Sequence, residues 1–267
     1  MATERNNIFL RARSPEFLRK MAEMGYLKAD EAFNISKFAR FTLPNNSTRL
    51  CASFNNLNPF LDTPTQLYVV STSAADTQAI RIYYIDQNRD AQEIDVVLSG
   101  QTAVPLGTDI YCVWRMVNIS SQDVVGKVSV TSNAAPAGGN PADNTVYGQI
   151  PAPSYLTLGV PLNQSQTTVY SIPRGFTGFL TQVTAGANKS ADMTAGAFIR
   201  AQGGVFRYVT TLDVFQTSKV KTDFARLPGG TDIKPLARAQ TGGEAFVDYE
   251  LLVIKTALLD RFRKKVV

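Results

Sequence analysis

The residues most suggestive of chemistry sit in the run IRIYYIDQNRDAQEIDVVLSG, where Asp86, Asn88 and Asp90 place an oxygen-bearing side chain at every second position. That is how a calcium loop begins. An EF-hand loop starting at Asp86 also needs glycine at its sixth position for a sharp turn and a bidentate glutamate at its twelfth. The sequence supplies Ala91 and Val97 instead, and the flanks alternate like strands where an EF-hand has helices. Acidic and amide side chains also hydrogen-bond the local backbone in tight turns, so the stretch is expected to join two strands as a hairpin.

Other routes to catalysis are equally bare. The chain contains no histidine, which removes Ser-His-Asp and Cys-His pairs and every histidine-ligated metal. Cys51 and Cys112 are too far apart in sequence for a C-x-x-C motif and are expected to be buried thiols, with a disulfide between them left open. Asp62-Thr63 has Pro64 where an aspartic protease carries glycine, and no second Asp-Thr-Gly supplies the partner carboxylate. The paired glycines of AQGG, LPGGT and QTGGE lack the lysine and spacing of a phosphate loop and suit hairpin turns. No catalytic, cofactor-binding or metal-binding residue is assigned, and the chain is not expected to be an enzyme.

The elements that would position these residues are mostly strands. LYVVSTS, AIRIYYI, EIDVVLS, IYCVWRMVNIS and GKVSVTS are β-branched and aromatic runs between polar, glycine or proline breaks. In the fourth, Ile110, Cys112, Trp114 and Met116 are expected to share a core face with Arg115 opposite. The segment TSNAAPAGGNPADNTVYGQIPAPSY reads as a long surface loop or linker. Beyond it, TTVYSIP, GFLTQVTAG, AFIRAQ, VFRYVTTLDVFQ and EAFVDYELLVIK repeat the strand pattern.

Ahead of the strands, RSPEFLRKMAEMG has Ser14 as an N-cap, Pro15 at the first helical position and Gly25 as a stop. Phe17, Leu18, Met21 and Met24 would line one face of this helix, and a second helical stretch is expected from Ala29 to Ala39. The expected fold is therefore mainly β, with two antiparallel, jelly-roll-like β-sandwich lobes and a short N-terminal helical arm. Residues 1–62 would form the arm and lead-in, 63–149 the first sandwich, 150–254 the second and 255–267 a basic tail, helical or not.

At 267 residues and 29.1 kDa, with 44% hydrophobic and 18% charged residues, the chain can bury a sizeable core. No apolar run is long enough for a bilayer span, and no signal-peptide core follows the basic residues near the start. The net charge of +5 is uneven: residues 1–40 carry +3 and residues 255–267 carry +4, leaving −2 on the body. The largest basic block, RFRKK, contains Arg261, Arg263, Lys264 and Lys265, and such charge suits a protein partner as well as a nucleic acid. Neither nucleic acid nor membrane is an expected partner.

Several segments taken in order resemble a group of tailed-bacteriophage virion proteins. They are VVSTSAADT, then IDQNRDAQEIDVVLSGQTAV, IYCVWRMVNI and VYSIPRGFTGFL, covering roughly residues 69–180, with GTDIKPLARAQTGGEAFVDYELLVI as a further piece. This chain has LSG at Leu98–Gly100 where the group carries a Leu-Asn-Gly-like corner. The resemblance implies a non-catalytic component of the virion that decorates or cements the capsid, binding copies of itself and other virion proteins, without cofactor or small-molecule substrate. A tail, baseplate or fibre-attachment part is the alternative. A host-glycan-binding module in the later lobe, 151–254, is a further one. Phe17, Leu18, Met21 and Met24, with Arg261, Arg263, Lys264 and Lys265, are the expected partner contacts.

Overall fold

The computed structural model describes residues 27–28, 30–155, 161–188, 192–215, 218–221 and 225–259, with backbone alone at 215 and 218–221. In chain order the strands are β1 (Ala32–Leu43), β2 (Ser47–Leu50), β3 (Leu67–Ser71), β4 (Ala79–Asp86), β5 (Ala91–Val97), β6 (Val104–Gly107), β7 (Ile110–Asn118), β8 (Val128–Thr131) and β9 (Val146–Ile150). They continue with β10 (Tyr170–Ser171), β11 (Phe176–Ala187), β12 (Asp192–Arg200), β13 (Arg207–Phe215), β14 (Ser218–Lys221), β15 (Ala225–Pro228), β16 (Asp232–Ala239) and β17 (Gly243–Lys255).

These strands form four antiparallel sheets, which corrects the expected pair of sandwich lobes. One sheet runs β1-β17-β11-β14 with β15 also on β11, a second runs β10-β16-β12-β13 with β2 also on β16, a third runs β6-β3-β8-β9, and the fourth is β5-β4-β7. The physical reason lies in residues 32–50, expected to be an arm and lead-in. Apart from a turn at 44–46 they are strand, and β1 zips against β17 from Ala32 opposite Ile254 to Leu43 opposite Gly243, while β2 pairs with β16.

The helix expected over Ala29–Ala39 is therefore replaced by strand. From Ile35 onward β1 alternates strictly, burying Ile35, Lys37, Ala39, Phe41 and Leu43. Period two wins over helical spacing because the pairing edge of β17 satisfies every second backbone group. The helix expected around Ser14–Met24 lies outside the described residues. No helix among the described residues is long and apolar enough to cross a membrane.

Hydrophobic burial binds the sheets together. Leu67 and Val69 of β3, Ile80 and Ile82 of β4, Val113 and Met116 of β7, and Val128 and Val130 of β8 share one core. Ala39, Phe41, Met193, Ala195, Ala237 and Val247 share another. A third cluster joins the early and late strands, with Leu50, Phe54, Phe60, Ile85, Tyr111, Cys112, Val146 and Val169 in contact. The side chains of β7 do not hold to one face as expected. Tyr83 pairs with Arg115 and Tyr84 with Val113, leaving Trp114 as the extra residue of a bulge. Met116 and Val113 thus enter one core, whereas Cys112 and Trp114 turn toward another.

The proline- and glycine-rich stretch is not loop throughout. Two short 3-10 turns, Ala137–Gly139 and Asp143–Thr145, lead straight into β9, which pairs with β8.

Candidate functional site: a buried arginine and aspartate junction

The turn that opened the sequence question is a hairpin, with Ile85 opposite Ala91. Asp86 organises it. Its Oδ1 accepts the Asp90 backbone N–H at 2.8 Å, its Oδ2 accepts Gln92 Nε2 at 3.2 Å, and its carbonyl accepts the Arg89 N–H at 3.0 Å. Arg89 takes a left-handed backbone conformation, φ 70°. The turn thereby aims an arginine into the later part of the chain, and the Arg89 carbonyl is held there by the Arg174 N–H at 2.8 Å.

At the far end of that arginine is Asp232, the first residue of β16, with a fully buried carboxylate. Its Oδ1 accepts Arg89 Nη1 and Ser171 Oγ, each at 2.7 Å. Its Oδ2 accepts Tyr111 Oη at 2.6 Å and Arg200 Nε at 2.9 Å. Four donors saturate the two oxygens, which offsets the cost of burying them. Arg200, at the end of β12, also grips Asp62 through two hydrogen bonds of 2.7 and 2.9 Å, a bidentate geometry. Two arginines thus meet two aspartates. Aromatic faces complete the packing: the Arg89 guanidinium lies 3.5 Å from the Tyr111 ring centroid, and Arg200 lies 4.7 Å from that of Phe206.

Electrostatics here favour permanence over proton transfer. Burial, then the charge of Asp232 and the hydrogen bond to it, push the Tyr111 phenol far above its ordinary range, against a smaller opposing pull from Arg89 and Arg200. For Arg200, burial works against the charged form, but the hydrogen bond to Asp62 and the neighbouring Tyr111 and Asp232 outweigh it and raise its pKa. Both Asp232 oxygens are committed to these internal donors. The arrangement fastens segments from residues 62, 89, 111, 171, 200 and 232 together.

A second buried carboxylate performs a similar task locally. Asp76 accepts Ser71 Oγ at 2.5 Å, the Val125 N–H at 2.8 Å and the Gly126 N–H at 2.9 Å.

The expected partner contacts Phe17, Leu18, Met21, Met24, Arg261, Arg263, Lys264 and Lys265 all lie outside the described residues. Cys51 and Cys112 are both buried and free, and burial raises both thiols well above their ordinary pKa. The Asp62 turn serves as an ion-pair partner for Arg200. Among the described residues no group of three or more histidine, cysteine, aspartate or glutamate side chains could hold a metal ion. Sequence reasoning missed the junction itself. Its members are single residues scattered along the chain, and the one local signal was a charged residue abutting apolar strand, as in Asp232-Ile233 and Ile199-Arg200.

No protein-family model and no curated protein matches the chain. Among solved structures, a Yersinia pseudotuberculosis-derived mitogen is 13% identical, covering 31% of this chain and 82% of its own, at TM-score 0.20. TmCBM61 in complex with β-1,4-galactotriose is 9% identical over 74% of this chain and 96% of its own, at TM-score 0.23. The infectious bursal disease virus VP2 subviral particle is 10% identical over 84% and 72%, at TM-score 0.22. These neighbours include a viral capsid protein and a carbohydrate-bound β protein, and scores this low establish no shared fold.

Proposed function

We propose that the chain is a non-enzymatic structural protein of a tailed-phage virion that decorates or cements the capsid through contacts between proteins. The observation that carries this reading is that the segments resembling phage virion proteins brace one another. The Gly100 carbonyl of LSG accepts the Ser71 N–H of VVSTSAADT at 3.0 Å, and the Gly100 N–H donates to the Asp76 carbonyl at 2.8 Å. The turn in IDQNRD sends Arg89 to Asp232 in the closing segment, and Ser171 of VYSIP joins the same carboxylate. Residues spent on internal bracing suit a rigid particle component better than a reaction site.

An outward surface for contact is also present. β13 ends its sheet, and Val205, Tyr208 and Val209 are exposed beside and along it. In this reading Phe17, Leu18, Met21 and Met24 and the basic residues Arg261, Arg263, Lys264 and Lys265 add further grip on neighbours.

Purified particles separated into heads and tails, each assayed by peptide mass spectrometry, test the proposal. Recovery with heads is expected. Recovery with tails alone would move the protein to the tail or baseplate, and absence from both would overturn a virion role.

A further inference from the structure

A cleft of about 430 Å³ lies between β1, β7 and residues 164–167, within the size range of small-ligand sites. Two basic side chains line it, Lys37 and Arg115, and no aspartate or glutamate does. Lys37 is only 5% exposed. Its amine donates to the Trp114 carbonyl and lies 5.7 Å from the Trp114 ring centroid. Neither cation has an ion-pair partner among the described residues. A buried amine keeps its proton when an anion is matched to it, and here the protein supplies none.

The remaining lining is rich in neutral hydrogen-bonding groups that are unspent. The side chains of Asn34, Ser36 and Gln164 make no hydrogen bond among the described residues. Gln166, also only 5% exposed, has a buried Oε1 without a partner, as has Trp114 at Nε1. Two of the five such orphaned buried atoms among the described residues thus belong to residues that line this one cleft, and each orphan is costly while it stays unpaired.

We propose that this cleft binds a sugar acid, a hydroxylated carboxylate of monosaccharide size. The carboxylate sits between Lys37 and Arg115, where a guanidinium offers paired donors. The hydroxyls meet Asn34, Ser36, Gln164 and Gln166, and Trp114 forms the apolar wall. A bare anion would leave the amides and hydroxyls unused, and a neutral sugar would leave Arg115 unmatched and give Lys37 no anion to hold its proton. This binding does not depend on where in a virion the protein sits.

Trp114 is the chain's only tryptophan, so its fluorescence reads the cleft directly. The full-length protein is titrated at about pH 6, where the Lys37 amine holds its proton, with D-glucuronate, D-galacturonate and N-acetylneuraminate, and with D-glucose and acetate as controls. A saturable change is expected with at least one sugar acid, about tenfold or more tighter than with either control. Arg115→Gln, at an exposed side chain, is expected to keep the melting temperature and weaken binding about tenfold. Equal binding of glucose or acetate, wild-type affinity in Arg115→Gln, or no saturation by any of the three acids at about 50 mM would each overturn the assignment.

Discussion

The guanidinium of Arg89 lies flat against Tyr111, 3.5 Å from its ring centroid, and both side chains donate to the same carboxylate, Asp232. Removing one member of such a set leaves an uncompensated buried charge. Arg89→Met is therefore expected to cost about 3–5 kcal/mol in urea unfolding. In a double-mutant cycle with Asp232→Asn, the second substitution should cost much less once the first is made. Additive costs would show that the two residues do not act together.

Asp76→Ala should destabilise by about 3 kcal/mol, because it orphans the Ser71 hydroxyl and two backbone N–H groups at Val125 and Gly126. Asp76→Asn keeps one acceptor oxygen and should lose less. The order of the two melting temperatures checks this.

Gly100 and Gly138 have nearly the same φ, 56° and 57°, in different surroundings. A Cβ on Gly100 would stand 2.6 Å from the Ala74 carbonyl oxygen, whereas one on Gly138 meets nothing within 4 Å. Gly138→Ala should cost about 1 kcal/mol from conformation alone, and Gly100→Ala about 3 kcal/mol or more once the clash is added. Similar losses would show that Ala74 yields readily.

The pH dependence of stability should carry the mark of Lys37. Burial pulls its amine down from 10.5 to about 7, with Cys112 opposing and Arg115 adding to the shift. Between those two values the unfolded chain holds a proton that the folded chain has released. Stability from this group is complete above 10.5 and is lost as pH falls through about 7. Wild-type protein should gain up to about 1.4 kcal/mol per pH unit relative to Lys37→Met as pH rises from 7 to 8.5. Parallel stability curves for the two proteins would show that the amine is not buried.

The strands and the turn at Asp86 were legible because β-branched alternation and Asx chemistry act over neighbouring residues, as Ile80 to Val97 show. β1 was not. Lys37 occupies an inward position between Ile35 and Ala39, so the apolar alternation is broken by a charge, and the phenylalanines Phe33 and Phe38 invite a helical reading. Trp114 was misplaced because a bulge changes the face of every residue beyond it, and the bulge depends on the partner strand β4. The junction at Asp232 needed contacts across the whole chain. No spacing within a single segment encodes the approach of Arg89, Tyr111, Ser171 and Arg200 to one carboxylate.

The long ladder between β1 and β17 also fixes a schedule. The first strand of the described chain waits for the last before its edge is covered, so during synthesis Phe33 to Leu43 should stay unpaired until Gly243–Lys255 has emerged. Such distant pairing closes slowly and leaves a sticky edge open meanwhile. A nascent chain stalled before Gly243 should need chaperone protection, and release of β17 should act as the trigger that commits the protein to its native state.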